Sequence, residues 1–380
     1  MMDGIAALKQ IRVLHVLGAF EHGGIQTWLL HVLRHIDREC FHLDFVVKTQ
    51  HPAAHDDEVL ALGSKIIFCD MTNPVRFAHS FCRVLRGPEK YDIVHSHTHH
   101  FSGYVLSLAR LCGAPGRIAH SHNDTRHAER ANGIGRQGYL GLMKCLLRSN
   151  ATLKLACSRR AAEDLFGSGW AKDEQCRILH YGIATQSFFT TVNRGAERRE
   201  FGFESSDFIV GHVGRFAPQK NHQFVLAVFR ELASNMNNAK LLLVGNGTLE
   251  QDIRRAVGEM GLEQRVSFAG SRRDIPRLMK NVMDVLLLPS FHEGLPLVLI
   301  ESQAARLPAV ISDTITEEAT VETELISRMS LTDSAADWAA MAATTGNAFR
   351  TRRSAGPPES LLQSDFNIEH AVRELECIYE

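Results

Sequence analysis

The stretch from Asp284 to Val310, DVLLLPSFHEGLPLVLIESQAARLPAV, constrains the fold more than any other part of the sequence. The apolar run at 284–289 predicts a buried strand, and a loop follows it. Pro296 suits the first turn of a helix, where a missing backbone N–H costs nothing. This helix is expected to run to about Arg306, and a second strand follows at 309–312. Strand, loop, helix and strand in this order predict a βαβ unit.

Two carboxylates flank the junction of the loop and the helix in this unit, Glu293 in the loop and Glu301 in the helix. The loop after a parallel strand lies at the carboxyl edge of the sheet, where ligands bind. The N–H groups of the helix N-terminus attract anions, and an ionised carboxylate accepts hydrogen bonds from hydroxyl groups. A sugar nucleotide has both a diphosphate and hydroxyls. The alternative is that Glu293 is an ordinary loop acid and Glu301 a partly exposed helical residue.

The pattern E-G-L-P-L-x-x-x-E, after an apolar strand that ends in Pro-Ser, resembles the E-x7-E motif of retaining family-4 glycosyltransferases of the GT-B fold. The resemblance implies that Glu293 contacts the hydroxyls of the transferred sugar. It implies that Glu301 contacts the ribose of the nucleotide. It also implies that the backbone at Gly294, Leu295 and Pro296 approaches the diphosphate.

A second candidate loop follows the strand predicted at 208–213 and carries Gly214, Arg215 and Lys220. Two cations on a loop that leads into a helix N-terminus predict a diphosphate-binding loop, and Asn221 is expected to cap that helix. A solvated surface loop is the alternative. The run G-R-F-x-x-Q-K-N resembles the family pattern G-R-L-x-x-x-K-G/N. This resemblance implies that Arg215 and Lys220 hold the phosphates and stabilise the departing nucleotide.

Three further glycines and one arginine complete the predicted donor site. Gly23 and Gly24 follow the first strand, and their loop either faces the donor diphosphate, as the resemblance implies, or is a flexible turn. Neither a dinucleotide fingerprint nor a P-loop is present there. Gly245 closes the strand in AKLLLVGNG, and Arg273 lies in a loop that resembles the family segment packing on the nucleotide base.

Strands and helices alternate through both halves, which predicts parallel sheets covered on both faces. A chain of 380 residues is too long for one ordinary core. The expected fold class is therefore α/β, and the resemblance implies a GT-B arrangement of two doubly wound Rossmann-like domains facing across a cleft. The predicted boundaries are an acceptor-binding domain at 1–190, a donor-binding domain at 191–365, and a helix at 366–380 that returns to the first domain.

Histidines cluster in VHSHTHH at 94–100 and in AHSHND at 119–124, each at the end of a predicted strand. Imidazole suits zinc, but no acidic or cysteine ligand is spaced to complete a site, so no metal is expected. Hydrogen-bonded loop histidines are the bland alternative. The resemblance implies that one histidine lies near the anomeric carbon and the primary hydroxyl of the sugar. We assign this role to His120, with His122 as the second choice.

Composition excludes several functional classes. A net charge of −1 argues against a general nucleic-acid binder, and the eight cysteines include no C-x-x-C unit that would indicate a zinc ribbon or a redox pair. The first ten residues include two charges and no long apolar core, so no signal peptide is expected, and no apolar run approaches the roughly 20 residues that span a bilayer. The predicted location is therefore the cytoplasm, with reduced thiols.

The segment from Arg126 to Arg160 contains eight Lys or Arg residues and one acid, Glu129. A basic amphipathic helix can lie on an anionic membrane surface, which would place the protein at the inner face of the plasma membrane. The alternative is a helix that faces the core and keeps its charges in solvent.

The predicted function is retaining transfer of a hexose from a nucleotide diphosphate sugar to a glycan acceptor, expected to be lipid-linked. The strongest likeness, through H-S-H-N, Y-G-I and S-D-T-I-T, is to bacterial enzymes that build capsule or exopolysaccharide. The donor sugar is the only small molecule expected, without a metal cofactor. The alternatives are a sugar-nucleotide epimerase or hydrolase of the same fold, and a non-catalytic glycan-binding protein.

Overall fold

The computed structural model describes residues 10–21, 23–125, 133–189, 194–350 and 356–380. The chain forms two compact units. The first unit contains the residues up to Gly182 together with Ile368–Glu380, and the second unit contains Ile183–Asn367. The polypeptide thus first passes from one unit to the other after Gly182. The domain boundary predicted at residue 190 lies further along, outside the described residues. The last helix belongs to the first unit.

The first unit is built on a sheet in which every neighbouring pair of strands is parallel. The strand order among the described residues is β3-β2-β1-β4-β5-β6-β7, so the direction of progression reverses between β1 and β4. This order is that of a doubly wound sheet, as the sequence predicted. The strands are β1 Ile11–Val16, β2 Phe41–Val47, β3 Ile66–Phe68, β4 Ile93–Ser96, β5 Gly116–Ser121, β6 Leu153–Ala156 and β7 Cys176–Ile178.

Helices connect these strands and begin at residues that suit helix starts. Asn73 accepts hydrogen bonds from the N–H groups of Val75 and Arg76, and Ser158 accepts one from Ala161. Such side-chain caps each stabilise a helix by about 1 kcal/mol. The helices of this part are α1 Gly24–His35, α2 Asp56–Ala61, α3 Pro74–Leu85, α4 Ser102–Leu111, α5 Ile134–Asn150 and α6 Arg159–Phe166, with 3₁₀ turns at His99–Phe101 and Trp170–Lys172.

The second unit repeats the architecture with the strand order β10-β9-β8-β11-β12-β13, again all parallel. Its strands are β8 Phe208–Val213, β9 Ala239–Val244, β10 Val266–Gly270, β11 Val285–Leu288, β12 Ala309–Ser312 and β13 Ile326–Met329. Its helices are α7 Arg194–Arg199, α8 His222–Asn235, α9 Glu250–Glu259, α10 Ile275–Asn281, α11 Leu297–Ala304, α12 Ala335–Phe349 and α13 Glu359–Leu362, and the chain ends with α14 Ile368–Tyr379 in the first unit.

Apolar burial holds this second sheet in place. All residues of β8 are buried, and the fully buried Phe229 and Trp338 fill the layer formed by α8 and α12. One buried charge also contributes. Asp284 is inaccessible to solvent and accepts hydrogen bonds from the side chain of Arg198 at 2.7 Å and from the backbone N–H of Ile209 at 2.8 Å. A buried charge with such partners fixes the start of β11 beside β8.

Some local predictions need correction. Helix α11 begins at Leu297 with Pro296 in the cap position, and it ends at Ala304, ahead of Arg306, whose positive φ of 51° interrupts helical geometry. Asn221 precedes α8, but its side chain makes no capping hydrogen bond, because its backbone is left-handed with φ 55°. Residues 359–362 form α13, and residues 351–355 lie outside the described residues.

The predicted basic segment includes α5, and its residues 126–132 lie outside the described part of the chain. Leu140, Met143 and Leu147 are buried, and α5 packs on α4, so one face of this helix does face the core. Nowhere in the described ranges is a helix both long and apolar enough to traverse a bilayer.

Candidate functional site

The candidate site in the second unit lies where the strand order reverses, between β8 and β11. These strands are parallel neighbours, with Val285 opposite Val210 and Leu286 opposite Gly211. The polypeptide therefore leaves both strands at the same carboxyl edge of the sheet, which is the usual ligand position in such sheets. Topology thus brings the loop after β8, with Arg215 and Lys220, beside the loop after β11, with Glu293.

The two loops are joined by a charge pair. The ammonium Nζ of Lys220 lies 2.5 Å from Oε1 of Glu293, and both side chains are largely buried. Gln219 supports the same carboxylate, because its Nε2 lies 3.3 Å from Glu293 Oε2 and donates to the carbonyl oxygen of His292 at 2.7 Å. The backbone N–H of Phe291 in turn donates to the Gln219 carbonyl oxygen at 2.9 Å. The structure therefore brings the predicted Lys220 and Glu293 into direct contact.

Glycines allow the loops after β8 and β9 to approach this pair. A Cβ on Gly214 would lie 3.0 Å from Cε of Lys220, so the lysine stem runs along the bare backbone. A Cβ on Gly245 would lie 2.1 Å from the Gly214 carbonyl oxygen, and Gly245 has a φ of +136° that favours glycine. Gly245 is therefore needed for this packing whether or not a ligand also touches it, and Gly214 leaves room for the lysine stem.

Arg215 differs from Lys220 in its surroundings. Its side chain is exposed, and its guanidinium makes no hydrogen bond or ion pair with any residue that the structure describes. Arg273 is also exposed, in the loop after β10, next to Arg272, which binds the carboxylates of Asp274 and Glu200. Arg215 therefore presents a guanidinium that an anionic ligand could engage without breaking an internal contact.

Glu301 is the exception in an otherwise buried helix. Every other residue of α11 is buried, whereas Glu301 keeps some exposure. Protein still surrounds the carboxyl group, and burial raises its pKa to about 8. Within the described ranges this carboxyl group has no hydrogen-bond or ion-pair partner. The preceding residues Gly294, Leu295 and Pro296 are buried.

In the first unit, the Gly23–Gly24 loop leads directly into α1. Gly23 is extended, with φ −177°, and a Cβ there would lie 2.6 Å from Oε1 of Gln26. The amide of Gln26 also donates to the carbonyl oxygen of Ala19 at 2.9 Å. The Gln26 side chain thus contacts both Gly23 and Ala19 and holds the backbone of this turn in one conformation.

The histidine-rich strand ends meet in the interior of the first unit. His95, His97, His120 and His122 are all buried at the carboxyl ends of β4 and β5, and His15 of β1 lies beside them. The rings of His95 and His120 are stacked with centroids 5.3 Å apart, and Trp28 of α1 covers His120 edge-on. Burial lowers the pKa of His15 and of His122 to about 3 and those of the other three well below 6.5, so this cluster is neutral at pH 7.

Sequence reasoning missed three members of this cluster, His15, Tyr181 and Tyr379. The hydroxyl of Tyr181 bonds Nδ1 of His122, and the hydroxyl of Tyr379 lies 2.8 Å from Nδ1 of His95. His15 could have been noticed as the one polar residue within the apolar run VLHVL of the first strand. Nothing in the local sequence connects Tyr379 to residues that lie nearly the whole chain away.

The expectation that no acid completes a metal site among the histidines needs correction. Asp164 of α6 lies close to His99 and His100, and its Oδ2 is 3.2 Å from Nε2 of His99. Two other groups, His15 with His95 and His97, and His97 with His120 and His122, also bring ligand atoms within 4.8 Å of one another. The imidazoles of the last two groups already bond each other and the tyrosines.

Comparison with known families divides the chain in the same way as the fold. Residues 193–343 match the family described as glycosyl transferases group 1, and residues 23–182 match the glycosyl transferase 4-like domain. These two ranges fall in the second and the first unit, respectively.

Individual relatives match between 80% and 98% of this chain. The putative glycosyltransferase EpsF of Bacillus subtilis (strain 168) is 32% identical, with 98% of this chain and 97% of EpsF covered. The UDP-Gal:alpha-D-GlcNAc-diphosphoundecaprenol alpha-1,3-galactosyltransferase of Escherichia coli is 25% identical over 80% of each chain. The crystal structure of Anabaena Alr3699/HepE in complex with UDP and glucose superposes with a TM-score of 0.80 at 17% identity, covering 97% of this chain and 99% of HepE.

Proposed function

Because the chain belongs to the glycosyltransferases of the group 1 and 4-like families, we propose that it transfers a hexose from a nucleotide diphosphate sugar to a glycan acceptor with retention of the anomeric configuration. The observation that carries this proposal is the Lys220–Glu293 pair at the β8/β11 edge, with Arg215 and Glu301, which have no partner among the described residues, in the same unit. The two cations, Arg215 and Lys220, are suited to phosphates, and the two carboxylates, Glu293 and Glu301, are suited to hydroxyls.

The chemical problem of this reaction is the charge of the leaving group. As the bond between the anomeric carbon and the phosphate oxygen breaks, negative charge grows on the β-phosphate. Arg215 and Lys220 are the cations that would meet it, together with the backbone N–H groups at the start of α11. Each preorganised donor of this kind is typically worth about 2.7–4 kcal/mol of barrier.

In the same-face attack that this proposal adopts, the acceptor hydroxyl oxygen bonds to the anomeric carbon on the side that the phosphate leaves. The proton of the acceptor hydroxyl passes to the departing phosphate oxygen, so no enzyme nucleophile is required. Glu293 then positions the sugar through its hydroxyls, Glu301 holds the ribose, and His120 lies near the anomeric carbon. The cations supply the charge stabilisation that a divalent metal would otherwise provide, so no metal cofactor is proposed.

The acceptor is proposed to be lipid-linked, which would bring the protein to the cytoplasmic face of the membrane. The acceptor named for the Escherichia coli relative is a diphosphoundecaprenol. On α5, Arg136, Tyr139 and Leu142 follow at intervals of three and are exposed, with the guanidinium of Arg136 over the Tyr139 ring. Such a face combines a cation with apolar area and suits an anionic lipid surface.

A donor screen tests the transfer itself. Purified protein is incubated with UDP-hexoses and GDP-mannose, with and without lipid-diphosphate glycan acceptors, and products are followed by mass spectrometry and by NMR of the anomeric proton. We expect acceptor-dependent transfer with retained configuration, unchanged by EDTA. Release of free nucleotide or an epimerised sugar without any acceptor would instead favour an epimerase or hydrolase, and no binding of any sugar nucleotide would favour a glycan-binding protein.

The Arg215→Ala variant isolates the cation contribution, because this side chain has no internal contact to lose within the described residues. We expect kcat to fall by about 10²–10³-fold with an unchanged melting temperature. Lys220→Ala should lower kcat comparably and also reduce stability, since Glu293 loses its partner. Arg230→Ala removes an exposed arginine of α8 as the matched control. Wild-type kcat in both site variants would contradict the assignment.

Vesicle co-sedimentation tests the membrane contact. We expect the protein to bind vesicles of anionic phospholipid and to bind neutral phosphatidylcholine vesicles far less, because Arg136 is attracted only by the anionic surface. The double variant Arg136→Gln, Leu142→Gln should lose this binding, whereas Val75→Gln, at an exposed apolar residue of α3, should keep it. Equal binding by both variants would contradict a role for α5.

A further inference from the structure

The buried histidines of the first unit are connected in a continuous series of hydrogen bonds. From Tyr181, the series passes to Nδ1 of His122, and Nε2 of His122 lies 2.7 Å from Nδ1 of His97. Nε2 of His97 lies 2.9 Å from Nδ1 of His15. The series is thus entered at Nδ1 and left at Nε2 at each of these rings.

Tyr379 of α14 continues the series to the remaining two histidines. Its hydroxyl lies 3.4 Å from Nε2 of His15 and 2.8 Å from Nδ1 of His95. Nε2 of His95 lies 3.2 Å from Nδ1 of His120, and Nε2 of His120 has no hydrogen-bond partner among the described residues. We call this set the histidine chain; its order is Tyr181, His122, His97, His15, Tyr379, His95 and His120.

Counting protons limits the states of the histidine chain. A neutral imidazole carries one ring proton and a tyrosine one hydroxyl proton, while each hydrogen bond uses one proton. The seven groups therefore supply one proton more than their six mutual hydrogen bonds require. If all six bonds are made and Tyr379 donates in one of them, the surplus proton lies at an end, on Nε2 of His120 or on the hydroxyl of Tyr181.

The connection pattern then couples all the rings. If Tyr181 donates to His122, every histidine in turn must donate from Nε2, and His120 ends the chain as an Nε2–H donor. If the direction is reversed, every histidine carries its proton on Nδ1, His120 ends as an acceptor, and the Tyr181 hydroxyl is left to face the thiol of Cys157. In a mixed arrangement either a bond is unmade, or Tyr379 accepts from both His15 and His95 and its own buried hydroxyl proton has no acceptor in the histidine chain; both outcomes are unfavourable.

We propose that the histidine chain acts as one unit in which all five histidines share the same tautomer. Tyr379 is the positioning residue, because its hydroxyl connects His95 and His120 to the other three histidines through hydrogen bonds. Its bearing on transfer rests on the proposed function, in which His120 lies near the anomeric carbon. The histidine chain decides whether Nε2 of His120 carries a proton or a lone pair. Tyr181 directly precedes Gly182, where the polypeptide first passes from the first unit to the second.

Imidazole NMR of the full-length ¹⁵N-labelled protein near neutral pH tests the shared tautomer. Long-range ¹H–¹⁵N spectra distinguish a protonated from an unprotonated ring nitrogen, and we expect the same nitrogen to be protonated in all five histidines. Tyr379→Phe separates His95 and His120 from the other three, so their signals should show a mixture of tautomers. Tyr91→Phe is the matched control, because its buried hydroxyl lies in the same unit and bonds Asp44 at 2.9 Å, outside the six hydrogen bonds of the histidine chain.

Different tautomers among the five rings of the wild type, or identical spectra for wild type and Tyr379→Phe, would overturn the proposal. Should Tyr379→Phe fold poorly, the wild-type spectra still decide, and Tyr181→Phe removes the first member of the series, the hydroxyl that bonds His122. The kinetic readout is separate. In Tyr379→Phe, kcat should fall in proportion to the lost wild-type tautomer of His120, about twofold for an equal mixture. A tautomer change without a change in kcat would support the shared tautomer of the histidine chain and contradict the role of His120 in transfer.

Discussion

At the residue scale, the candidate site contains two kinds of charged side chain: those that already have a partner of opposite charge within the described residues, and those that do not. Lys220 and Glu293 satisfy each other in the structure, whereas Arg215 and Glu301 have no partner among the described residues. A ligand that engages Lys220 and Glu293 must replace a short charged contact, which costs free energy. A ligand that engages Arg215 and Glu301 gains contacts without such a cost, so these two residues should contribute most to binding affinity.

Glu301 provides a pH-dependent test of nucleotide binding. Its pKa of about 8 means that the carboxyl group is mostly protonated at pH 7 in the free protein. Ribose hydroxyls donate best to the ionised form, so binding should release a proton below pH 8. The affinity attributable to Glu301 should rise as the pH increases toward 8, by up to about tenfold per pH unit, and level off above it.

Calorimetry of UDP and GDP binding in buffers of different ionisation enthalpy measures this proton release. Glu301→Gln cannot ionise and should abolish the Glu301-dependent part, leaving only the titration of the nucleotide phosphate. The same proton release in wild type and in Glu301→Gln would contradict contact between Glu301 and the nucleotide.

At the element scale, the site depends on how closely the strand-end loops pack. The loop after β9 touches the loop after β8 at the Gly245–Gly214 contact, and the backbone N–H of Phe216 donates to the Asn246 carbonyl oxygen at 2.7 Å. This packing fixes the backbone from which Lys220 reaches Glu293. The loops are therefore positioned by backbone contacts in addition to the charge pair.

Gly245→Ala should disrupt this packing. Its Cβ would lie 2.1 Å from the Gly214 carbonyl oxygen, and its φ of +136° is unfavourable for alanine. We expect the unfolding free energy to fall by at least about 2 kcal/mol. Gly261→Ala is the matched control, because Gly261 also has a positive φ, of +65°, but a Cβ there meets no atom within 4 Å. Equal losses in urea denaturation of the two variants would contradict the importance of the loop contact.

At the scale of the whole molecule, the buried histidines couple the stability of the first unit to acid. The folded unit keeps five imidazoles neutral because burial lowers their pKa values, whereas the unfolded chain protonates them below about pH 6.5. The unfolded state thus binds more protons as the pH falls. The stabilisation is present above pH 6.5 and is lost at lower pH, by up to about 1.4 kcal/mol per histidine per pH unit.

Melting temperatures measured between pH 7.5 and pH 5 should therefore fall steeply. His97→Gln, which removes one buried imidazole, should be less stable at pH 7.5 but show a shallower decline. Replacing the exposed His79 by Gln should leave the slope unchanged. A wild-type slope no steeper than that of His97→Gln would contradict the buried, neutral state of the cluster.

The sequence by itself determined the order of the elements and the loops that carry the candidate site. The period of apolar residues and the glycine and proline positions act locally, so β8, β11 and the loops bearing Arg215, Lys220 and Glu293 could be located. The errors at Pro296 and Asn221 lie at helix ends, where one residue's backbone angle decides the boundary.

Only the tertiary structure decided which side chains meet and in what state of protonation. The Lys220–Glu293 contact and the raised pKa of Glu301 depend on packing around each group. The histidine chain joins a residue of the first strand to a tyrosine of the last helix. Desolvation and hydrogen bonding arise from neighbours in space, and local sequence patterns carry no information about neighbours that are distant along the chain.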